Sequence, residues 1–265
     1  MKKSFKIFGV LFILLFQFTS CLKDDGNKKP IYYFYDEPVV VDVTGNYPVI
    51  RNESDVFYVP ELANNTALKA GDLLWTSFIV DLNNEKDLPL HFSRFIYTAE
   101  HFKYETVDSA KVIIPANAEE FQSYLSDDYS APIESSVLYN YTIDSLWFFG
   151  FKQKDHSNQL SHTYELILNP EIETGSYPTL YIRSKQINAS PESPGKARSK
   201  DGNIFAFDAA GFVDYYRKAI SSTGIIRFNL KYNTGVDAVG NDIYKAFISN
   251  PISWNFQSTE KTTEK

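Results

Sequence analysis

The chain has 265 residues, 26 basic and 33 acidic side chains for a net charge of −7, and one cysteine. Nucleic acid is excluded as a partner, because such binding depends on clustered Lys and Arg neutralising phosphates and no basic run of useful length occurs. A lone cysteine allows no intrachain disulfide, so stability has to come from core burial. The 21 Phe, 18 Tyr and 3 Trp against a single Met favour side chains that pack on pleated surfaces, and a mostly β body is expected.

The N-terminus carries Lys2, Lys3 and Lys6, an apolar run from Ile7 to Phe18, then Thr19-Ser20-Cys21. A basic start, about a dozen apolar residues and small residues before a cleavage point make a secretory signal peptide over residues 1–20, since a spanning helix needs roughly 20 apolar residues. Phe18 to Cys21 resembles the lipobox of bacterial lipoproteins, although Phe18 is bulkier than the usual aliphatic residue. The resemblance implies that Cys21 is acylated and becomes the mature N-terminus, which gives the two or more chains that stable anchoring needs. Cleavage removes three lysines and no acid, leaving 23 basic against 33 acidic residues, a net of −10. Lys23, Asp24 and Asp25 resemble the short acidic signal that sends lipoproteins of Bacteroidota to the outer face of the outer membrane. A solvated charged tether is the plainer reading of the same three residues.

A lipidated tether is expected over 21–36, with the first β-type run already at Ile31 to Tyr35. Further runs at Pro38 to Val43, Asp55 to Val59, Leu73 to Leu82 and Phe92 to Val107 are divided by Asn, Gly, Asp and Pro clusters. The run from Leu73 to Leu82 is apolar on much of both faces. That predicts a small closed barrel, filled inside and covered outside by a second domain. Asn117 and Glu120 predict a capped short helix with Phe121, Tyr124 and Leu125 on one face. Strands are expected at Val137 to Ile143, Leu146 to Lys152, His162 to Leu168 and Thr179 to Gln186, with a tight turn at Asp144-Ser145 and a hairpin loop at Asp155 to Asn158.

Residues 188–203 form the longest polar stretch of the body, read as a loop. Asp208 predicts the start of a helix whose face is Phe212, Tyr215, Tyr216 and Ala219, with Gly224 near its end. Ile226, Phe228, Leu230 and Tyr232 alternate with Arg227, Asn229 and Lys231 as in a half-exposed antiparallel strand. A last strand at Ile252 to Phe256 precedes a polar tail.

Trp147 to Phe151, Ser161 to Ile167, Leu180 to Arg183, and Ile204 to Phe207 followed by Phe228 to Asn233 resemble, in order and spacing, the NigD-like lipoproteins of Bacteroidota. The resemblance implies an N-terminal OB-like β-barrel, expected at 37–110, and a C-terminal antiparallel β-sandwich with one or two short helices at 111–258, before a disordered tail at 259–265. The family's name comes from a bacteriocin gene cluster, so an immunity-type role is implied only by that association.

Sites of chemistry are sparse. His91, His101, His156 and His162 form no HExxH or other close ligand pair, and no metal or cofactor is expected. G-x-S-x-G, G-x-G-x-x-G and phosphate-loop patterns are missing. Asp237 to Asp242 lacks the spacing of an EF-hand and reads as a solvated turn, as does Asp127-Asp128. Trp75, Trp147, Trp254 and Tyr139 to Tyr141 lie among apolar neighbours and read as core. Tyr32, Tyr33, Tyr35 and Tyr177, beside a tether or turn, are the candidate binding aromatics.

The expected function is therefore that of a non-enzymatic outer-membrane lipoprotein, displayed at the cell surface or facing the periplasm. It binds a protein partner in immunity or envelope assembly; the alternative is a glycan-binding accessory protein, and a cryptic hydrolase ranks lower. Replacing Lys23, Asp24 and Asp25 by alanine should protect the protein from protease added to intact cells. Unchanged cleavage would remove these residues as an export signal.

Overall fold

The computed structural model describes residues 29–44, 47–83, 96–125, 131–153, 160–171, 177–188, 198–199, 202–219, 225–249 and 252–253. Cys21, Lys23, Asp24, Asp25, His91, His156, Trp254, the 155–158 loop and the tail lie outside them. The fold is mostly β, a curled, half-closed barrel followed by a β-sandwich.

The barrel sheet contains β1 (Ile31–Thr44), β2 (Tyr47–Arg51), β3 (Val56–Tyr58), β4 (Leu73–Asp81), β5 (Ile96–Thr98) and β6 (Glu100–Thr106), in the order β5-β3-β2-β1-β4-β6. The two runs read at 31–35 and 38–43 are a single strand, and β1 begins inside the expected tether. Asp36, at φ 55°, lies where the register with β4 shifts between Phe34 and Glu37. A bulge absorbs the polar pair that looked like a break. β1 pairs with β4 from Ile31 to Val40 and with β2 only from Val40 to Thr44. Among the described residues, its second edge from Ile31 to Val39 has no strand partner.

Inside the barrel, Phe34, Phe57 and Phe78 pack at centroid separations of 4.5 to 5.2 Å. Val39, Val41, Ile50, Leu74 and Val80 complete this core.

One residue after β6, the chain enters the sandwich with β7 (Asp108–Lys111), which pairs in parallel with β13 (Gly202–Asp208). Helix α1 (Ala118–Leu125) follows. Asn117 Oδ1 accepts the Glu120 N–H at 2.9 Å, while the Glu120 carboxylate takes the N–H of Ala116, one residue earlier than a capping box requires. Next come β8 (Ile133–Ile143) and β9 (Leu146–Gln153), joined by the expected turn at Asp144-Ser145. One sheet has the order β12-β13-β9-β8, β12 being Arg198–Ser199. The facing sheet contains β10 (Leu160–Leu168), β11 (Thr179–Asn188), β15 (Asn229–Val236) and β16 (Asp242–Ile248), in that order. Helix α2 (Ala210–Ala219) and the small pair β14 (Ile225–Ile226) with β17 (Ile252–Ser253) complete the fold.

Two expectations change here. α2 buries Phe212, Val213 and Tyr216 while Ala219 is exposed, so its apolar face is rotated from the predicted one. β15 is half-exposed as expected, but it is antiparallel only to β16 and runs parallel to β11 on its other edge, and Ile226 belongs to the separate short strand β14.

The two sheets enclose Trp147, Phe149, Phe151, Tyr164, Leu166, Phe205, Phe207, Phe212, Phe228 and Tyr232. The alternate residues Phe148, Ile204 and Ala206 point the other way, against Val40, Leu73 and Trp75 of the barrel. The middle sheet is thus apolar on both faces. The barrel's outer surface is covered as the two-sided run from Leu73 to Leu82 predicted.

Gly202 has a φ of +102°, and a Cβ there would overlap the Phe151 carbonyl of the neighbouring strand. Gly202→Ala should cost more than about 2 kcal/mol and lower Tm by roughly 4–8 °C, measurable by thermal unfolding.

Candidate functional site

β1 carries rings on both faces because its first half alternates in a strand at the barrel's open end. Tyr32 and Phe34 turn toward a cleft of about 250 Å³, also lined by Asp55, Phe57, Val80, Leu82 and Tyr97. Phe57 and Val80 are buried; Phe34, Asp55, Leu82 and Tyr97 are half-buried; Tyr32 stands 50% exposed at the rim. The parallel pairing of β3 with β5 places Phe57 directly opposite Tyr97.

The turn between β2 and β3 holds Asp55. Buried Asn52 accepts the N–H groups of Ser54 and Asp55 through Oδ1 at 3.0 and 2.7 Å, and its Nδ2 donates to Glu37 Oε1 at 2.8 Å. One amide therefore organises the turn and ties it to β1. Glu37 has its pKa raised, chiefly by burial, against the lowering effect of the Asn52 bond and with further raising from Glu53 and Asp55. This end of the barrel is aromatic and anionic together.

On the outer face, Tyr33 and Tyr35 are 57% and 71% exposed. Their rings are parallel within 5°, with centroids 6.3 Å apart. Asp36 beside them accepts the Trp75 indole N–H at 3.2 Å, which fixes the bulge to the buried ring below. Tyr177 does not join this group. It lies in the sandwich, half-buried, its hydroxyl accepting from Arg227 at 3.3 Å and its carbonyl from Asn229 at 3.2 Å.

The remaining sequence candidates fall elsewhere. Trp75 and Trp147 are buried, and Tyr139 packs on Trp75 with centroids 5.3 Å apart. His101 is exposed on β6, and His162 is buried on β10. Asp237 accepts hydrogen bonds from the backbone N–H groups of Val239 and Asn241 and from the Asn241 side chain. The Asn241 bonds first, then the Val239 N–H, hold its carboxyl below the usual range. These oxygens serve the turn itself. Among the described residues, no three His, Cys, Asp or Glu side chains are grouped to hold a metal ion. No helix among them is long and apolar enough to cross a membrane.

Sequence reading missed the cleft walls at Phe34, Asp55, Phe57 and Tyr97. The available signal was the alternation of Tyr32 and Phe34 with Tyr33 and Tyr35, which puts aromatic side chains on both faces of one strand.

An open barrel packed on a two-sheet sandwich defines the class of fold. No family model matches the sequence, and no curated protein matches it. Solved structures do. An uncharacterised protein from Parabacteroides merdae ATCC 43184 matches with a TM-score of 0.56 at 15% identity, over 84% of this chain and 97% of that one. A DUF1344 protein of unknown function from Bacteroides vulgatus ATCC 8482 matches at 0.48 with 17% identity, over 86% and 93%. A protein from Bacteroides fragilis NCTC 9343, described as a candidate lipoprotein, matches at 0.48 with 14% identity, over 83% and 97%. What this chain shares with the first is its fold.

The sign of the Glu37 effect is testable. A carboxyl with a raised pKa stabilises the fold fully only below its ordinary range, and that contribution is lost as pH rises through the raised value. Glu37→Gln keeps the acceptor for Asn52. It should raise Tm by about 1–2 °C at neutral pH and leave it unchanged near pH 4 or below, close to the ordinary carboxyl value.

Proposed function

We propose that this protein is a non-catalytic, NigD-like outer-membrane lipoprotein, anchored through Cys21, that binds a protein partner at the cell envelope through the open end of its barrel. The observation that carries the reading is β1. From Ile31 to Val39 it offers an edge without a strand partner among the described residues, and Tyr32, Tyr33 and Tyr35 are exposed along it. A free edge supplies main-chain hydrogen bonds to an incoming strand, and exposed tyrosines supply large contact area at low entropic cost. The position also suits an anchored protein, since β1 is the first described element after the anchor.

Hydrolysis would need a nucleophile and a base within hydrogen-bond reach. Among the described residues, the cleft lining offers one carboxylate, Asp55, and no histidine. One observation favours the glycan reading: the parallel rings of Tyr33 and Tyr35 form a platform on which sugar rings stack.

The test is photo-crosslinking in intact envelopes of the full lipoprotein, with a benzophenone side chain at position 33 or 35 and at exposed Glu171 as control. A discrete protein adduct at 33 and 35 but not at 171 is expected, and Tyr33→Ala with Tyr35→Ala should weaken capture by about 10–100-fold. Adducts of equal yield at all three sites would sink the protein reading. Retention on envelope polysaccharide that the same alanines abolish would replace it with the glycan one.

A further inference from the structure

We infer that the cleft bounded by β1, β3, β4 and β5 is a socket for a cationic side chain, lysine or arginine, of the protein partner. This rests on the protein-binding reading above and names the chemistry of its anchor point. Among the described residues, four rings, Tyr32, Phe34, Phe57 and Tyr97, line the cleft with Val80 and Leu82, and the charged group in that lining is Asp55.

Three ligand classes are distinguished by those walls. A purely apolar group would cover the rings but would leave the Asp55 carboxylate desolvated without a partner, which is costly. An anion would meet Asp55, which together with Glu53 already raises the pKa of Glu37 nearby. A cation on an alkyl stem satisfies both parts: the stem lies on the aliphatic wall, the charge faces ring π-clouds, and the carboxylate completes the contact.

Size points the same way. Small-molecule sites typically enclose about 300–1,000 Å³, and the cleft, at about 250 Å³, suits one long side chain. Among the described residues, the lining includes no lysine or arginine. Elsewhere the protein makes this contact internally. Lys231 Nζ lies 4.9 Å from the ring centroids of both Tyr181 and Tyr244 and donates to the Tyr181 hydroxyl at 3.0 Å. The same pairing of ammonium and tyrosine is open to a second molecule at the barrel mouth.

The test uses the mature lipoprotein in detergent with carbon-13-labelled tyrosine, titrated with N-acetyl-lysine methylamide or N-acetyl-arginine methylamide, and with N-acetyl-norleucine methylamide as the uncharged isostere. Saturable shifts of the Tyr32 and Tyr97 ring signals with the two cationic amides are expected. They should weaken with added salt, and norleucine amide should bind about tenfold less tightly. Asp55→Asn should remove that preference, Tyr97→Leu should weaken both cationic amides, and unchanged signals from buried Tyr164 and Tyr232 would show that the variants are folded. Equal binding of norleucine and lysine amides, no effect of Asp55→Asn, or shifts confined to other tyrosines would overturn the socket. A protein crosslinked at position 33 whose capture ignores Asp55→Asn would overturn the socket and leave the partner reading intact. Tight lysine-amide binding with no crosslinked protein would do the reverse.

Discussion

The architecture depends on one sheet having no polar face. In β9, Trp147, Phe149 and Phe151 enter the sandwich core while Phe148 meets the barrel. In β13, Phe205 and Phe207 go one way and Ile204 and Ala206 the other. A strand buried on both sides cannot hold its place through either neighbour alone, since at about 25 cal/mol per Å² each exposed face would forfeit several kcal/mol. Barrel and facing sheet are both needed to keep it dry. The bidentate pair of Arg51 and Asp144, at 3.1 and 2.7 Å, spans the same junction from β2 to the β8–β9 turn. Being largely solvated, it contributes at most about 1 kcal/mol and acts as a register mark more than a clamp.

That packing explains why the barrel can stay open at its other end. β4 faces two cores at once, Leu74, Phe78 and Val80 inward and Leu73 and Trp75 toward the middle sheet. With its outer wall supported in this way, the barrel does not need a full ring of strands for stability. Among the described residues, the incomplete side falls at the first half of β1, where the aromatic cleft and the exposed tyrosines lie. Asn52 performs the equivalent task in the polar part, placing Asp55 in the cleft wall while holding Glu37 to the strand.

What could be read from sequence was what depends on near neighbours. Leu73 to Leu82 revealed two buried faces because both alternating sets are apolar. Asn117 and Asp208 announced their helices because capping is local, and the Asp208 carboxylate does take the Ala210 N–H at 3.0 Å. Val213 takes the place of Ala219 on the buried face of α2, beside Phe212, whose ring packs on Trp147 and Phe228, far away in sequence. β16 went unread because its residues 242–246 are exposed, so no burial pattern marks it. The cleft was illegible for a related reason. It forms where β3 meets β5 in parallel, a pairing between residues 56–58 and 96–98 that leaves no local trace. Tyr32, Tyr33 and Tyr35 were visible as a group, whereas their division between a cleft and an outer platform required the strand.

The antiparallel ladder between β1 and β4 has a mechanical consequence. The two strands pair from Ile31 opposite Asp81 to Val40 opposite Leu73, with one register shift at the Asp36 bulge, and ladder hydrogen bonds lie perpendicular to the strand direction. Tension applied at residue 29 runs along β1 and loads that ladder in shear, so its bonds share the force and do not peel one by one. A chain held by its N-terminus would thus meet drag through the shared bonds of the β1–β4 ladder and the Trp75 indole bond that pins the Asp36 bulge.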